Sequence, residues 1–113
     1  MRARFRLWIE DGEGNQLFGE GLQCLLKEIQ RTGSLRGGAE SMGMSYRHAW
    51  GKIRKAEERL GYEIVHRQSG GSGGGNSGIT SDGQSLLTKF DLLQQDLLNS
   101  LEKHVPNRFG LLP

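Results

Sequence analysis

Cysteine is almost absent: Cys24 is the only one among 113 residues, so no internal disulfide can form and a reducing cytoplasm is the expected compartment. The start, Met1-Arg-Ala-Arg-Phe5, has no apolar core of the signal-peptide kind. No apolar run approaches the roughly 20 residues that cross a bilayer, so no membrane partner is expected. Charge of one sign is scarce too. A net charge of +2 with 25% charged residues excludes a histone-like tail, a supercharged nucleic-acid coat and a highly charged disordered chain. Any attraction to a polyanion must therefore be local.

Catalytic chemistry is equally thin. His48, His66 and His104 make no metal-ligand spacing with the lone cysteine, and none is paired with a nearby acid as in a triad. No Gly-Lys-Ser/Thr follows the glycine tract, and no GxGxxG lies in a nucleotide-sized βαβ unit. No catalytic residue, metal or cofactor is expected, and the chain is not read as an enzyme. Cys24 lies among leucines and reads as a small core residue.

What is abundant is glycine, 18 residues, which with the 35% hydrophobic fraction brings the apolar total to an ordinary globular value. The length suits one domain with an appended element. Arg4 to Glu10 alternate, with Phe5, Leu7 and Ile9 on one face, and Asp11-Gly-Glu-Gly-Asn15 turns the chain into Gln16-Leu-Phe18. This is the pattern of a β-hairpin. Leu22, Leu25, Leu26 and Ile29 form a helical stripe that ends at Gly33. Ser34 caps a second, short helix, stopped by Gly43, and Ser45 caps a third that runs to Gly61. On that third helix Ala49, Ile53, Ala56 and Leu60 make the apolar stripe, with Arg47, Gly51, Arg54 and Glu58 opposite. Tyr62 to Gln68 reads as a strand and Ile79-Thr80 as its return, a second hairpin. From Ser81, with Thr80 as N-cap, a periodic segment rich in leucine runs to about His104, and Pro106 to Pro113 look frayed.

The expected fold is mainly α with two small β-hairpins: a winged helix-turn-helix over residues 1–80, a C-terminal dimerisation helix over 81–105 and a tail over 106–113. In a winged helix-turn-helix the second helix of the motif enters the DNA major groove. Between Ser45 and Arg67 six basic residues face three acidic ones, a local excess of three positive charges, while the remaining chain is slightly acidic. Gly51 costs roughly 1 kcal/mol in a helix interior and sits opposite the core; close approach of a base edge or phosphate explains it, and so does drift at an exposed site. Tyr46 and Trp50 read as core-edge residues that could also stack on sugar or base. The tract Ser69 to Gly78 has three readings: a phosphate-contacting wing, a disordered connector, or a nucleotide cradle that lacks its motif. Arg67 and Gln68 beside it favour the wing.

The stretch Gly33-Ser-Leu-Arg-Gly-Gly-Ala-Glu-Ser-Met-Gly-Met-Ser-Tyr-Arg-His-Ala-Trp50, with Ile53 and Leu60-Gly61, resembles the DNA-binding domain of ModE-type molybdate-responsive regulators. LysR-type regulators are more distant relatives. The phrases Gln68-Ser-Gly-Gly-Ser-Gly-Gly-Gly75 and Ile79-Thr80-Ser-Asp-Gly83 extend the resemblance, which covers residues 2 to about 105. It implies a winged-helix homodimer built by the N-terminal strands and the long C-terminal helix, with Ser45, Tyr46, Arg47, Arg54 and the wing facing DNA. Family members that sense molybdate carry C-terminal oxyanion-binding modules. This chain ends just after the dimer helix, so it is expected to bind no molybdate by itself and reads as a stand-alone regulator, a piece of a longer one or a domain answering to another partner.

The chain is thus expected to be a sequence-specific transcription regulator that binds double-stranded DNA as a homodimer. The DNA-facing set is Ser34, Ser45, Tyr46, Arg47, His48, Gly51, Arg54, Lys55, Arg67, Gln68, Ser69, Gly70 and Gly71. The dimer set is Phe5, Leu7, Phe90, Leu93, Leu97 and Leu101, because a helix spanning on the order of 35 Å would otherwise expose a large apolar patch. The alternative is a winged-helix interaction module that docks an acidic protein and never touches DNA.

Overall fold

The computed structural model describes residues 2–66 and 78–110. Two short strands, β1 (Trp8–Glu10) and β2 (Gln16–Gly19), pair antiparallel with Ile9 opposite Phe18 and an irregularity at Ile9/Glu10. Their turn is built by Asp11, whose carboxylate accepts from the backbone N–H of Glu13 at 2.8 Å and of Asn15 at 2.9 Å. The alternating pattern from Arg4 predicts a longer first strand. It starts only at Trp8, and the N–H of Leu7 just before it bonds to the Glu20 carboxylate at 3.0 Å instead of a strand partner.

Four helices follow: α1 (Glu20–Thr32), α2 (Leu35–Ser41), α3 (Tyr46–Leu60) and α4 (Ser81–Phe109). Three of them, α2, α3 and α4, start at the expected caps. The hydroxyls of Ser34, Ser45 and Thr80 accept from the N–H groups of Gly37, His48 and Gly83 at 2.9, 3.0 and 2.9 Å. Gly33 and Gly61 end α1 and α3 at φ near +88°, where a Cβ would be strained. α2 crosses α1 closely because Gly38 has no side chain: a Cβ there would come 2.7 Å from Ile29 Cγ1 and 3.0 Å from its backbone N.

Phe18 from the hairpin, Leu25, Leu26 and Ile29 from α1, and Ile53 from α3 are buried in one core, closed by Leu87 and Phe90 of α4. Phe18 and Phe90 meet edge to face, their centroids 4.9 Å apart. The stripe on α1 is as expected, but Cys24 is exposed rather than in the core. It lies about 150° around the helix from the centre of the stripe through Leu22, Leu25, Leu26 and Ile29, on the side away from the core.

The second hairpin is reduced, among the described residues, to an antiparallel bridge between Val65 and Ile79, supported by His66 N–H to Gly78 O at 2.9 Å and Thr80 N–H to Ile64 O at 3.0 Å. The expected strand from Tyr62 is not regular because Ile64 and Val65 give their N–H groups to a carboxylate of α3, Glu57, at 2.8 and 3.2 Å. These elements make a winged helix-turn-helix with an appended C-terminal helix. That helix runs further than its leucines suggest, through Pro106 to Phe109, and only then does Gly110 turn the chain. Pro106 falls in the last turn, where it removes one backbone bond, that to the Glu102 carbonyl. The molecule is elongated, 58 × 31 × 24 Å, because α4 continues past the body.

Candidate nucleic-acid interface

The helix-turn-helix geometry comes from α2, a four-residue turn and α3. Met42 N–H and Met44 N–H both bond back to the Ala39 carbonyl, at 3.1 and 3.0 Å, and Gly43 takes the left-handed conformation between them. Ala49, Ile53 and Ala56 then anchor α3 to the core, which sets which side chains face outward.

Those outward positions are Tyr46, Arg47, His48, Gly51, Lys52, Arg54, Lys55, Glu58 and Arg59, with Ser45 just before the helix, all exposed. Of the residues expected to face DNA, Ser45, Tyr46, Arg47, His48, Gly51, Arg54 and Lys55 are therefore brought onto the outer side of one helix. Ser34 sits apart, partly buried at the start of α2, with its hydroxyl spent on the cap. Arg67, Gln68, Ser69, Gly70 and Gly71 lie outside the described residues.

Three details shape this surface. A Cβ at Gly51 would meet nothing within 4 Å, so the glycine leaves the midline of α3 low and open. The Tyr46 ring carries the Arg36 guanidinium 4.8 Å above its centroid, which fixes an aromatic edge at the start of the helix. Trp50 is half-buried against the core, the core-edge position expected of it.

Glu57 was missed by sequence reasoning and matters most. It is 5% exposed, its carboxylate holding the chain at Ile64 and Val65, so one of the two acids of α3 is withdrawn from the surface. Outside remain Arg47, Lys52, Arg54, Lys55 and Arg59 against Glu58 alone. The signal was available: Glu57 is four residues after Ile53 and so lies on the apolar stripe, where a charge requires a buried partner. Among the described residues no group of His, Cys, Asp and Glu could hold a metal ion, and no helix is long and apolar enough to cross a membrane.

The expected dimer residues differ in exposure. Phe90 is 3% exposed and belongs to the core of a single chain, a correction to its expected role. It faces inward because it follows Gly83 and Leu87, the buried residues of α4, at helical spacing. Phe5 and Leu7 are half-buried, Leu7 against the core and Phe5 in a cleft with Lys27, Gln94 and Leu98. Leu93 and Leu97 remain exposed at 38% and 37%, and Leu101 is partly so.

Residues 23–84 match the bacterial regulatory helix-turn-helix proteins of the lysR family. The chain belongs to this family. Within it, the likeness to ModE regulators read from the motifs holds. The DNA-binding transcriptional dual regulator ModE of Escherichia coli K12 is 41% identical over 71 residues, 63% of this chain and 27% of that protein. Transcriptional regulator ModE of Yersinia pestis is 40% identical over 82 residues, 70% of this chain and 31% of that protein. The molybdenum-pterin-binding protein MopA of Rhodobacter capsulatus is 35% identical over 77 residues, 68% and 29%. The matched segment is thus less than a third of each of these relatives.

Proposed function

We propose that this lysR-family chain is a transcription regulator that binds double-stranded DNA sequence-specifically as a homodimer. The observation that carries the reading is the outer side of α3: five cations against one acid, with an open midline at Gly51. A helix about 10–12 Å across fits a major groove about 12 Å wide, and Gly51 lets the helix come closest where the base edges lie. Arg47 and Arg54, seven residues apart on one row, are the residues proposed to reach base edges. Ser45, Tyr46 and His48 lie toward the entry of the helix and would contact sugar and phosphate, as would Ser34 and the segment from Arg67 to Gly71.

Pairing of two chains is supported by α4, which extends beyond the body with Leu92, Leu93, Leu97 and Leu98 exposed. A second copy covering them would also place two copies of α3 on successive turns of a pseudo-palindromic site. DNA binding by these 113 residues is further proposed to need no molybdate. The deciding experiment selects bound fragments from random duplexes and titrates the chain against the selected site and a scrambled one, with and without molybdate. Preference for the selected site, unchanged by the oxyanion and steeply salt-dependent, is the expected result. Binding no duplex while retaining an acidic protein would replace this reading with that of a protein-docking module.

A further inference from the structure

The cations of α3 fall into two rows. At 100° per residue, Arg47 and Arg54 lie on one side of the Gly51 midline and Lys52, Lys55 and Arg59 on the other. The second row does not stand on an open helix face. It forms one wall of a cleft of about 230 Å³ whose other wall is the corner between β2 and α1, with Gln16, Phe18 and Gly21. Among the described residues no acid lines this cleft. Glu20, at the same corner, is held elsewhere by the Leu7 N–H, at 3.0 Å.

Arg59 donates to the Gln16 carbonyl at 2.8 Å, tying α3 to the hairpin and fixing the end of the cleft. Among the described residues neither Lys52 nor Lys55 takes part in an ion pair, and both ammonium groups sit on exposed side chains about 4.5 Å apart along the helix axis. Two unpaired cations beside an acid-free recess suit an anion that arrives from outside. Continuity with the base-facing midline says which anion. A helix seated in a major groove has a sugar-phosphate strand along each flank, and the flank carrying Lys52 and Lys55 is the one with the cleft.

We propose that Lys52 and Lys55, with the β2–α1 corner, form a backbone-phosphate site: one strand of the bound duplex lays its phosphates along this cleft while the other row reads bases. The inference rests on the reading of the chain as DNA-binding and divides the labour on α3. Phosphate contacts carry register and not sequence, so the two rows should respond differently to substitution.

The test compares the full chain with its Lys52→Gln/Lys55→Gln and Lys52→Arg/Lys55→Arg variants on a selected duplex and a scrambled one, across monovalent salt concentrations. The Gln pair is expected to lose affinity for both duplexes by the same factor, about 30-fold near 0.15 M salt, with the slope of log K against log salt shallower by about 1.8. The Arg pair should keep the slope. Circular dichroism should be unchanged in both. An undiminished slope and affinity in the Gln pair, while the unmodified chain still prefers its site, would overturn the phosphate site and leave the DNA reading intact. A loss confined to the selected duplex would overturn it too, by showing that these lysines read bases. Failure of the unmodified chain to bind any duplex would remove the DNA reading and this proposal together.

Discussion

Gly83 has no room for a side chain, because a Cβ there would overlap the carbonyl of Ile64 where the first turn of α4 passes the base of the wing. The obstacle is backbone, which cannot swing aside. Gly83→Ala should therefore destabilise the fold by about 1–3 kcal/mol or more, read by denaturant melting. Glu57 is the second residue on which much depends. Glu57→Ala strands two buried N–H groups at a cost of about 1–3 kcal/mol each, whereas Glu57→Gln keeps one acceptor oxygen and should cost less. Asp11 is the exposed counterpart. Hydrogen bonds from Asn15, through backbone and side chain, and from the Glu13 N–H hold its carboxyl below the ordinary 3.8. A depressed carboxyl contributes stability above its unfolded value that is lost as pH falls through the folded one. Carbon-detected titration should find Asp11 below free aspartate, and its hairpin should loosen only under acid. On the outer face, Arg47→Ala and Arg54→Ala should each leave folding intact and lower discrimination against wrong sites by about 1–3 kcal/mol, seen by titrating both duplexes. Unchanged discrimination in both variants would remove them from the base-reading row.

The element that separates folding from assembly is α4. Its first turns close the core, with Leu87 and Phe90 at 2% and 3% exposure, while its later leucines meet solvent. Phe90→Ala should cost about 3–5 kcal/mol of stability in a single chain. Leu97→Asp with Leu101→Asp should leave the core packed but place charge where a second copy would sit. The expected result is a folded monomer with poor affinity for a two-fold site, separable by melting and sedimentation from the unfolding caused by Phe90→Ala. The polar side of the same helix is also committed: Asp91 pairs with Lys27 at 3.2 Å and accepts from Gln23 at 2.6 Å, while Gln94 also bonds to Gln23. These contacts orient α4 on α1 and leave its leucine side free for association.

For the whole molecule, the proposed function turns on two copies acting together. Sedimentation of the unmodified chain at micromolar concentration should show a species twice 12.6 kDa, and affinity should fall on dilution. A single species near 12.6 kDa would remove the reason for a palindromic site, with half-sites roughly 34 to 36 Å or a multiple apart. Much of this was legible from residues in order. Caps at Ser34, Ser45 and Thr80, stops at Gly33 and Gly61, and the stripes on α1 and α3 follow from local rules, since cap bonds and helical periodicity involve neighbours within four residues. The exposed side of α3, proposed to face DNA, followed from the same periodicity. Tertiary structure decided the rest. It put Phe90 in the core against Phe18, left Cys24 outside, turned Glu57 inward to hold the wing, and set Lys52 and Lys55 beside the β2–α1 corner. Each of these depends on which element happens to lie across from it. Periodicity tells a residue which way to point, and only the packed fold supplies what it meets there.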